Sequence, residues 1–138
     1  MPKSTLRSGS HSVFNIQLHI VFVTKYRRQV INAAMIDRLR EIFGKICDGQ
    51  RCILVEFSGE SDHVHLLVDT HPDVNIAKFI GSMKAASSRL LRKEFAQIVQ
   101  QTYWKPVFWS DSYCVISSGG APLEVLNKYI ENQDVPDR

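Results

Sequence analysis

Phe14-Asn-Ile-Gln-Leu-His-Ile-Val-Phe-Val-Thr-Lys25 alternates along its length. Phe14, Ile16, Leu18, Ile20 and Phe22 fall on one side of an extended chain, and Asn15, Gln17, His19, Val21 and Val23 on the other, since strand side chains alternate with period two. The stretch is read as one long strand with a core face, and the rest of the chain is placed around it. Asn32 can cap a helix reaching about Asp48, with Met35, Leu39, Ile42, Phe43 and Ile46 at helical spacing and Gly49 at its end. Residues 51–58 and 64–70 read as strands joined by a turn at Gly59-Glu-Ser-Asp62. A second helix opens at Asp73 or Asn75 and buries Ile76, Phe79, Ile80, Met83, Leu90 and Leu91. Residues 103–112 are aromatic and irregular, and 113–117 form a short strand. Gly119-Gly120 breaks the chain, and Pro122 in a first helical turn opens a last helix through Gln133.

The order β-α-β-β-α-β-α, with strands that carry one polar face, predicts an α+β fold: an antiparallel sheet with helices packed on one face. The 138 residues suit a single domain. It is assigned to residues 12–133, with a flexible basic arm at 1–11 and a short tail at 134–138. Hydrophobic residues at 44% and charged residues at 22% are the balance of an ordinary globular protein. No apolar run reaches the roughly 20 residues of a membrane span, and nothing at the start resembles a signal peptide. Cys47, Cys52 and Cys114 are odd in number and lack metal-ligand spacing, which suits buried, reduced thiols and a cytoplasmic protein.

Net charge is only +3, but the cations cluster. Lys25-Tyr-Arg-Arg28 is one cluster; Lys78, Lys84, Arg89, Arg92 and Lys93 form another with no acid between them. A cation run alone is as often a solvated helix face, yet two in one small domain point to a phosphate-tracking surface. The candidate DNA contacts are Lys25, Arg27, Arg28, Lys84, Arg89 and Arg92.

Asp62-His-Val-His65 carries the chemistry. On a strand, His63 and His65 share a face while Val64 dips into the core, so two imidazoles stand side by side as half a metal site. A bare pair of this kind is also found as ordinary surface histidines. Tyr129 and Gln133 lie at i and i+4 on the last helix and are neighbours on its surface. Leu123, Leu126 and Ile130 form the stripe that anchors that helix. Taken alone, a tyrosine placed like Tyr129 is more often an amphipathic packing residue with its hydroxyl at the rim. Together, the four residues offer a phenolic nucleophile and three neutral ligands, with open positions for phosphate and water. Such a set would hold Mg²⁺ weakly and Mn²⁺ more tightly, because imidazole suits the latter better.

The chain resembles the single-tyrosine HUH transposases of small bacterial and archaeal insertion sequences, often called the TnpA class. The resemblance runs from about His11 to Gln133. It rests on Leu18-His-Ile-Val-Phe-Val-Thr-Lys-Tyr-Arg-Arg28, Ser61-Asp-His-Val-His-Leu-Leu67 and Phe79-Ile-Gly-Ser-Met-Lys84, then on Phe108-Trp-Ser-Asp-Ser-Tyr113 and Lys128-Tyr-Ile-Glu-Asn-Gln133. It implies a ferredoxin-like or palm-like HUH fold with Tyr129 as nucleophile and His63, His65 and Gln133 as ligands of Mg²⁺ or Mn²⁺. It also implies a homodimer that binds single-stranded DNA with hairpins near the element's ends, cuts it through a 5′-phosphotyrosine, and associates with the nucleoid when bound. One phosphodiester is exchanged for another ester, so no nucleotide cofactor is expected.

The competing readings are a domesticated binder of palindromic single-stranded DNA, an HUH replication or relaxase-type nicking enzyme, and a metal-dependent hydrolase. A protein–DNA adduct separates a transferase from the binder and the hydrolase. The replication and relaxase enzymes usually have larger chains and a second tyrosine or third histidine. Ser117-Ser-Gly-Gly120 is a candidate hinge for the last helix, and the long first strand a candidate edge for a second subunit. His19, Glu56 and Asp62 are secondary candidates near the histidines, Trp104 and Trp109 for base stacking; His11 and His71 read as loop residues.

Overall fold

The computed structural model describes residues 6–9, 11–117 and 123–133. Strands β1 (Arg7–Ser8) and β2 (Val13–Phe14) form a small antiparallel ladder, and β3 (Ile16–Val23) follows after Asn15. A 3-10 turn (Lys25–Arg27) leads to α1 (Ala33–Gly49), then to β4 (Ile53–Gly59) and β5 (His63–Thr70). Then come α2 (Ile76–Glu94), α3 (Ala96–Thr102), β6 (Cys114–Ser117) and α4 (Leu123–Glu131). The four-stranded sheet runs β4-β5-β3-β6, antiparallel throughout, so the fold is α+β as expected.

Local chemistry sets the helix starts. The Asn32 side chain accepts from the Met35 N–H at 2.8 Å, and Asn75, rather than Asp73, accepts from the Lys78 N–H at 3.1 Å. Each takes up an N–H that the first turn leaves without a helical partner. Gly59 sits where β4 passes α1: a Cβ there would lie 2.8 Å from both the Ile36 and the Val64 side chains.

Leu18, Ile20 and Phe22 meet Val64, Leu66 and Val68 of β5 on one sheet face, under Leu39 and Phe43 of α1, Phe79 and Met83 of α2 and Val99 of α3. Two of the three helices that the sequence placed, α1 and α2, lie on this face, together with α3. The fourth crosses the other face: Leu126 packs with Val21 and Val23, flanked by Cys114, Ile116, Tyr129 and Ile130. The reason is in β3 itself, whose otherwise polar side carries two valines that need cover.

Three further features differ from the sequence reading. The long strand is not an edge: β3 is paired along its length with β5 and over Leu18–Val21 with β6, so the sheet's edges are β4 and β6. Within the stretch read as a flexible arm, Arg7 is pinned in β1, its guanidinium 3.1 Å from Asp69 Oδ1 and bonded to the Asp69 and Arg51 carbonyls. The stretch before residue 103 holds α3, which the sequence reading did not place. The proposed hinge at 118–120 lies outside the described residues. Among the described residues, no helix is long and apolar enough to cross a membrane.

Candidate active site

His63 stands opposite Val23 and His65 opposite Val21 in the β3–β5 ladder. Both imidazoles therefore rise on the sheet face that α4 covers. The His63 Nδ1 lies 2.8 Å from Asp62 Oδ1, which leaves Nε2 as the ring's open nitrogen. A carboxylate on the far nitrogen fixes tautomer and orientation, a usual support for a metal-binding histidine. His65 is less free. Its Nε2 lies 2.8 Å from His19 Nδ1, and the two rings are nearly coplanar, 8° apart, with centroids at 5.0 Å. Burial lowers the His65 pKa, the nearby His19 and His63 add to this, and Glu56 opposes it. The ring is thus favoured neutral, the state a ligand needs.

Tyr129 and Gln133 meet a loop within residues 108–113, a stretch that carries part of the resemblance but was given no site role from the sequence. The Ser112 Oγ is 2.8 Å from the Tyr129 hydroxyl, and the Ser110 hydroxyl donates to Gln133 Oε1 at 3.1 Å. Gln133 Nε2 donates back to the Tyr129 carbonyl at 3.3 Å, so the pair forms one edge of the helix end. Half-burial raises the Tyr129 pKa; the Ser112 hydrogen bond works against that and Cys114 adds to it. Backbone pairing places the loop. Ser110 N–H donates to the Val23 carbonyl at 2.7 Å, and Thr24 bridges to Trp109, so residues 109–110 prolong the sheet past the end of β3. A cleft of about 370 Å³ opens beside it, lined by Thr24, Lys25, Tyr26, residues 110–112, Asn132 and Gln133.

Arg27 ties the histidine strand to the tyrosine helix. Its Nε lies 3.4 Å from Asp62 Oδ2 and its Nη1 3.3 Å from the Glu131 carbonyl. To reach both, the backbone takes left-handed angles at Tyr26 (φ 58°) and Arg27 (φ 56°), uncommon for residues with a Cβ. Strain of this kind persists only where the surroundings hold it.

The six candidate DNA contacts divide. Lys25 pairs with Asp111 at 3.1 Å, Arg27 is taken up as described, and Arg92 Nε reaches Ser88 Oγ at 3.1 Å. Lys84 departs furthest from the sequence reading: its ammonium donates to the Ser110 carbonyl at 2.6 Å and the Ser112 carbonyl at 3.3 Å. Burial lowers its pKa, Asp111 opposes this, and Lys25 reinforces it. Arg89 is exposed, and the Arg28 guanidinium lies 5.8 Å from the Tyr26 ring centroid. Of the aromatic candidates, Trp109 is core, its indole N–H donating to Ser87 Oγ at 2.9 Å, whereas Trp104 is 94% exposed. His71 is a loop residue that accepts from the Asp73 N–H at 3.1 Å, and His11 is exposed.

Among the described residues, no three His, Cys, Asp or Glu side chains are grouped to hold a metal ion. A cation here would depend on two imidazoles, an amide oxygen, and the oxygens of substrate and water. That donor set fits a hard or borderline divalent ion held loosely. His63 Nε2 is available to it, Gln133 Oε1 keeps a second lone pair, and His65 would exchange the His19 contact for the ion.

The chain matches the family model described as transposase IS200 like over residues 12–133. It is 28% identical over 128 residues to the ISDra2 transposase TnpA of Deinococcus radiodurans, covering 93% of this chain and 91% of that protein. It is 29% identical over 132 residues to the transposase for insertion sequence element IS200 of Salmonella typhimurium, covering 96% and 86%. The crystal structure of a protein of Deinococcus radiodurans R1, described as a putative transposase, superposes with a TM-score of 0.86 at 31% identity, covering 94% of this chain and 99% of that one.

Proposed function

The chain belongs to the IS200-like transposase family, a family of DNA-cleaving enzymes, and on that premise we propose that it cuts and rejoins single-stranded DNA through a 5′-phosphotyrosine at Tyr129. The observation that carries this reading is the placing of α4. It lies on the histidine-bearing face of the sheet and brings Tyr129 to Ser112, while Gln133, two residues past its end, meets Ser110 and lines the cleft beside the 110–112 loop.

In the proposed step, Tyr129 Oη attacks the scissile phosphorus, the P–O3′ bond breaks, and the released oxygen takes a proton to become a 3′-OH. The phenolic proton leaves to water past Ser112, which is exposed. The new ester is close in energy to the old one, so a 3′-OH from another strand can reverse the attack and rejoin the DNA. Bound by His63, His65 and Gln133, Mg²⁺ or Mn²⁺ would supply Lewis-acid stabilisation of the charge on the phosphate oxygens. Asp62 orients His63, and Arg27 sets α4 against that strand. DNA hairpins near the element's ends are the proposed recognition feature, and exposed cations such as Arg89 the phosphate contacts.

Each chain has one proposed nucleophile, and an excision cuts two ends, so the working unit is proposed to be a homodimer. In this chain α4 packs on its own sheet. Mixing Tyr129→Phe with His63→Ala subunits tests whether tyrosine and histidines are shared: only shared sites regain cleavage in the heterodimer. The test of the chemistry is a denaturing gel of protein incubated with single-stranded element ends and Mn²⁺. A DNA adduct that EDTA prevents and Tyr129→Phe lacks is the expected result. Strand scission with no protein-bound DNA would overturn the tyrosine mechanism in favour of hydrolysis.

A further inference from the structure

We propose that Lys84 is a positioning residue for the tyrosine, acting through the 110–112 loop; this rests on the reading of Tyr129 as nucleophile. Lys84 comes from α2, in sequence far from both α4 and the histidines. Its half-buried ammonium donates to two carbonyls of one short loop, Ser110 at 2.6 Å and Ser112 at 3.3 Å. An ammonium taken partly out of water must replace its lost hydration with hydrogen bonds, and these carbonyls do so. The same two residues point their hydroxyls the other way. Ser110 Oγ holds Gln133 Oε1, and Ser112 Oγ meets Tyr129 Oη.

The loop depends on this lysine because little else fixes its second half. Ser110 N–H is bonded to Val23, but among the described residues positions 111–113 make no backbone–backbone hydrogen bond before β6 begins at Cys114. The Asp111 carboxylate, 93% exposed, pairs outward with Lys25. The Ser112 carbonyl is thus held by Lys84, and through Ser112 so is the phenolic oxygen. A shift of about 1 Å in a reacting group can cost on the order of a hundredfold in rate, so a cation that never touches DNA can govern cleavage. This reverses what its place in a basic helix suggests, since a phosphate contact would present its ammonium to solvent.

The two roles separate experimentally. Lys84→Met is compared with wild type for hairpin-DNA affinity across a salt series and for single-turnover cleavage at saturating DNA. A positioning role predicts unchanged affinity and salt slope with cleavage down about 10- to 100-fold. Lys84→Arg, which keeps charge and donors, should recover part of the rate. Ser112→Ala should lose a similar factor, and the double variant no more than the worse single, because both act on one oxygen. A salt slope reduced by about one, with cleavage at saturating DNA intact, would make Lys84 a phosphate contact and overturn the proposal.

A structural readout stands apart from activity. With 3-fluorotyrosine at the four tyrosines, the Tyr129 signal is the one lost in Tyr129→Phe. In a Lys84→Met protein whose melting is cooperative, that signal should shift or broaden without DNA; if it stays put, the positioning role fails. Should Lys84→Met not fold, Lys84→Gln and Ser112→Ala carry the same measurement. If the wild-type protein forms no adduct while Lys84→Met still shifts the fluorine signal, the tyrosine chemistry is sunk and the loop's support stands.

Discussion

The two faces of β3 share a backbone and do different work. On one, Leu18, Ile20 and Phe22 are locked among three helices, and on the other His19, Val21 and Val23 meet two further histidines and a single helix. The first face is dry and aromatic, with Phe22 and Phe43 rings 5.8 Å apart and Trp109 5.6 Å from Phe22. The second carries the hydrogen bonds between His19 and His65, Asp62 and His63, and the serine loop and α4. Alternate residues of one strand thus divide stability from chemistry, and damage to either side should leave the other readable.

Tyr129→Phe gives the sharpest contrast. Protein–DNA adduct should vanish, while the melt changes little, since the ring stays and one part-exposed hydrogen bond is worth about 0.5–1.5 kcal/mol. A large drop in melting temperature would mean that α4 belongs to the stabilising side after all. Phe43→Ala is the mirror case. Phe43 is fully buried, and truncation should cost about 3–5 kcal/mol by chemical denaturation. Adduct yield per folded molecule should survive in the cold, and its loss would break the division.

Smaller changes probe the border. Ser87→Ala strips the Trp109 indole N–H of its acceptor in a buried site, with an expected cost of about 1–3 kcal/mol. Trp109 also carries the start of the serine loop, so a matching loss of cleavage would show that the faces communicate there. Least of all should respond to thiol labelling. Cys47 is on the buried side of α1, and burial together with Cys52 and Asp48 pushes its pKa up to about 12. Alkylation of Cys47 at neutral pH should therefore follow unfolding; its rapid modification in the native protein, mapped apart from the partly exposed Cys114, would contradict a tightly closed core.

Much of this division was legible in the chain. Alternation in 14–25 gave the two sides of β3, the Asn32 cap was anticipated and Asn75 was one of two candidates, and period two put His63 and His65 together. The central position of β3 was not, because strand order depends on pairing between residues some 50 or 100 positions apart, and spacing carries no trace of it. Ala96–Thr102 was missed for want of a capping side chain and with few apolar residues to set a period. Ser110 and Ser112 stood in a stretch that carries part of the resemblance, but their role was missed because small polar residues in an irregular segment have no periodicity to say what they face. Lys84 was read as a DNA contact because a formal charge does not reveal whether an ammonium faces water or a carbonyl. The proposed roles of Tyr129, His63, His65 and Gln133 rest on experiments of the kind set out above.

The two tryptophans carry a last consequence, an optical one. Trp109 is enclosed by Phe22 and Phe108 at 6% exposure, and Trp104 stands at 94%. Excited together, they should emit as two populations: a blue-shifted one closed to iodide and a red-shifted one open to it. The chain therefore comes with its own pair of dyes. One darkens or reddens when the interior loosens, and the other responds to whatever approaches the surface beside Arg92 and Lys105.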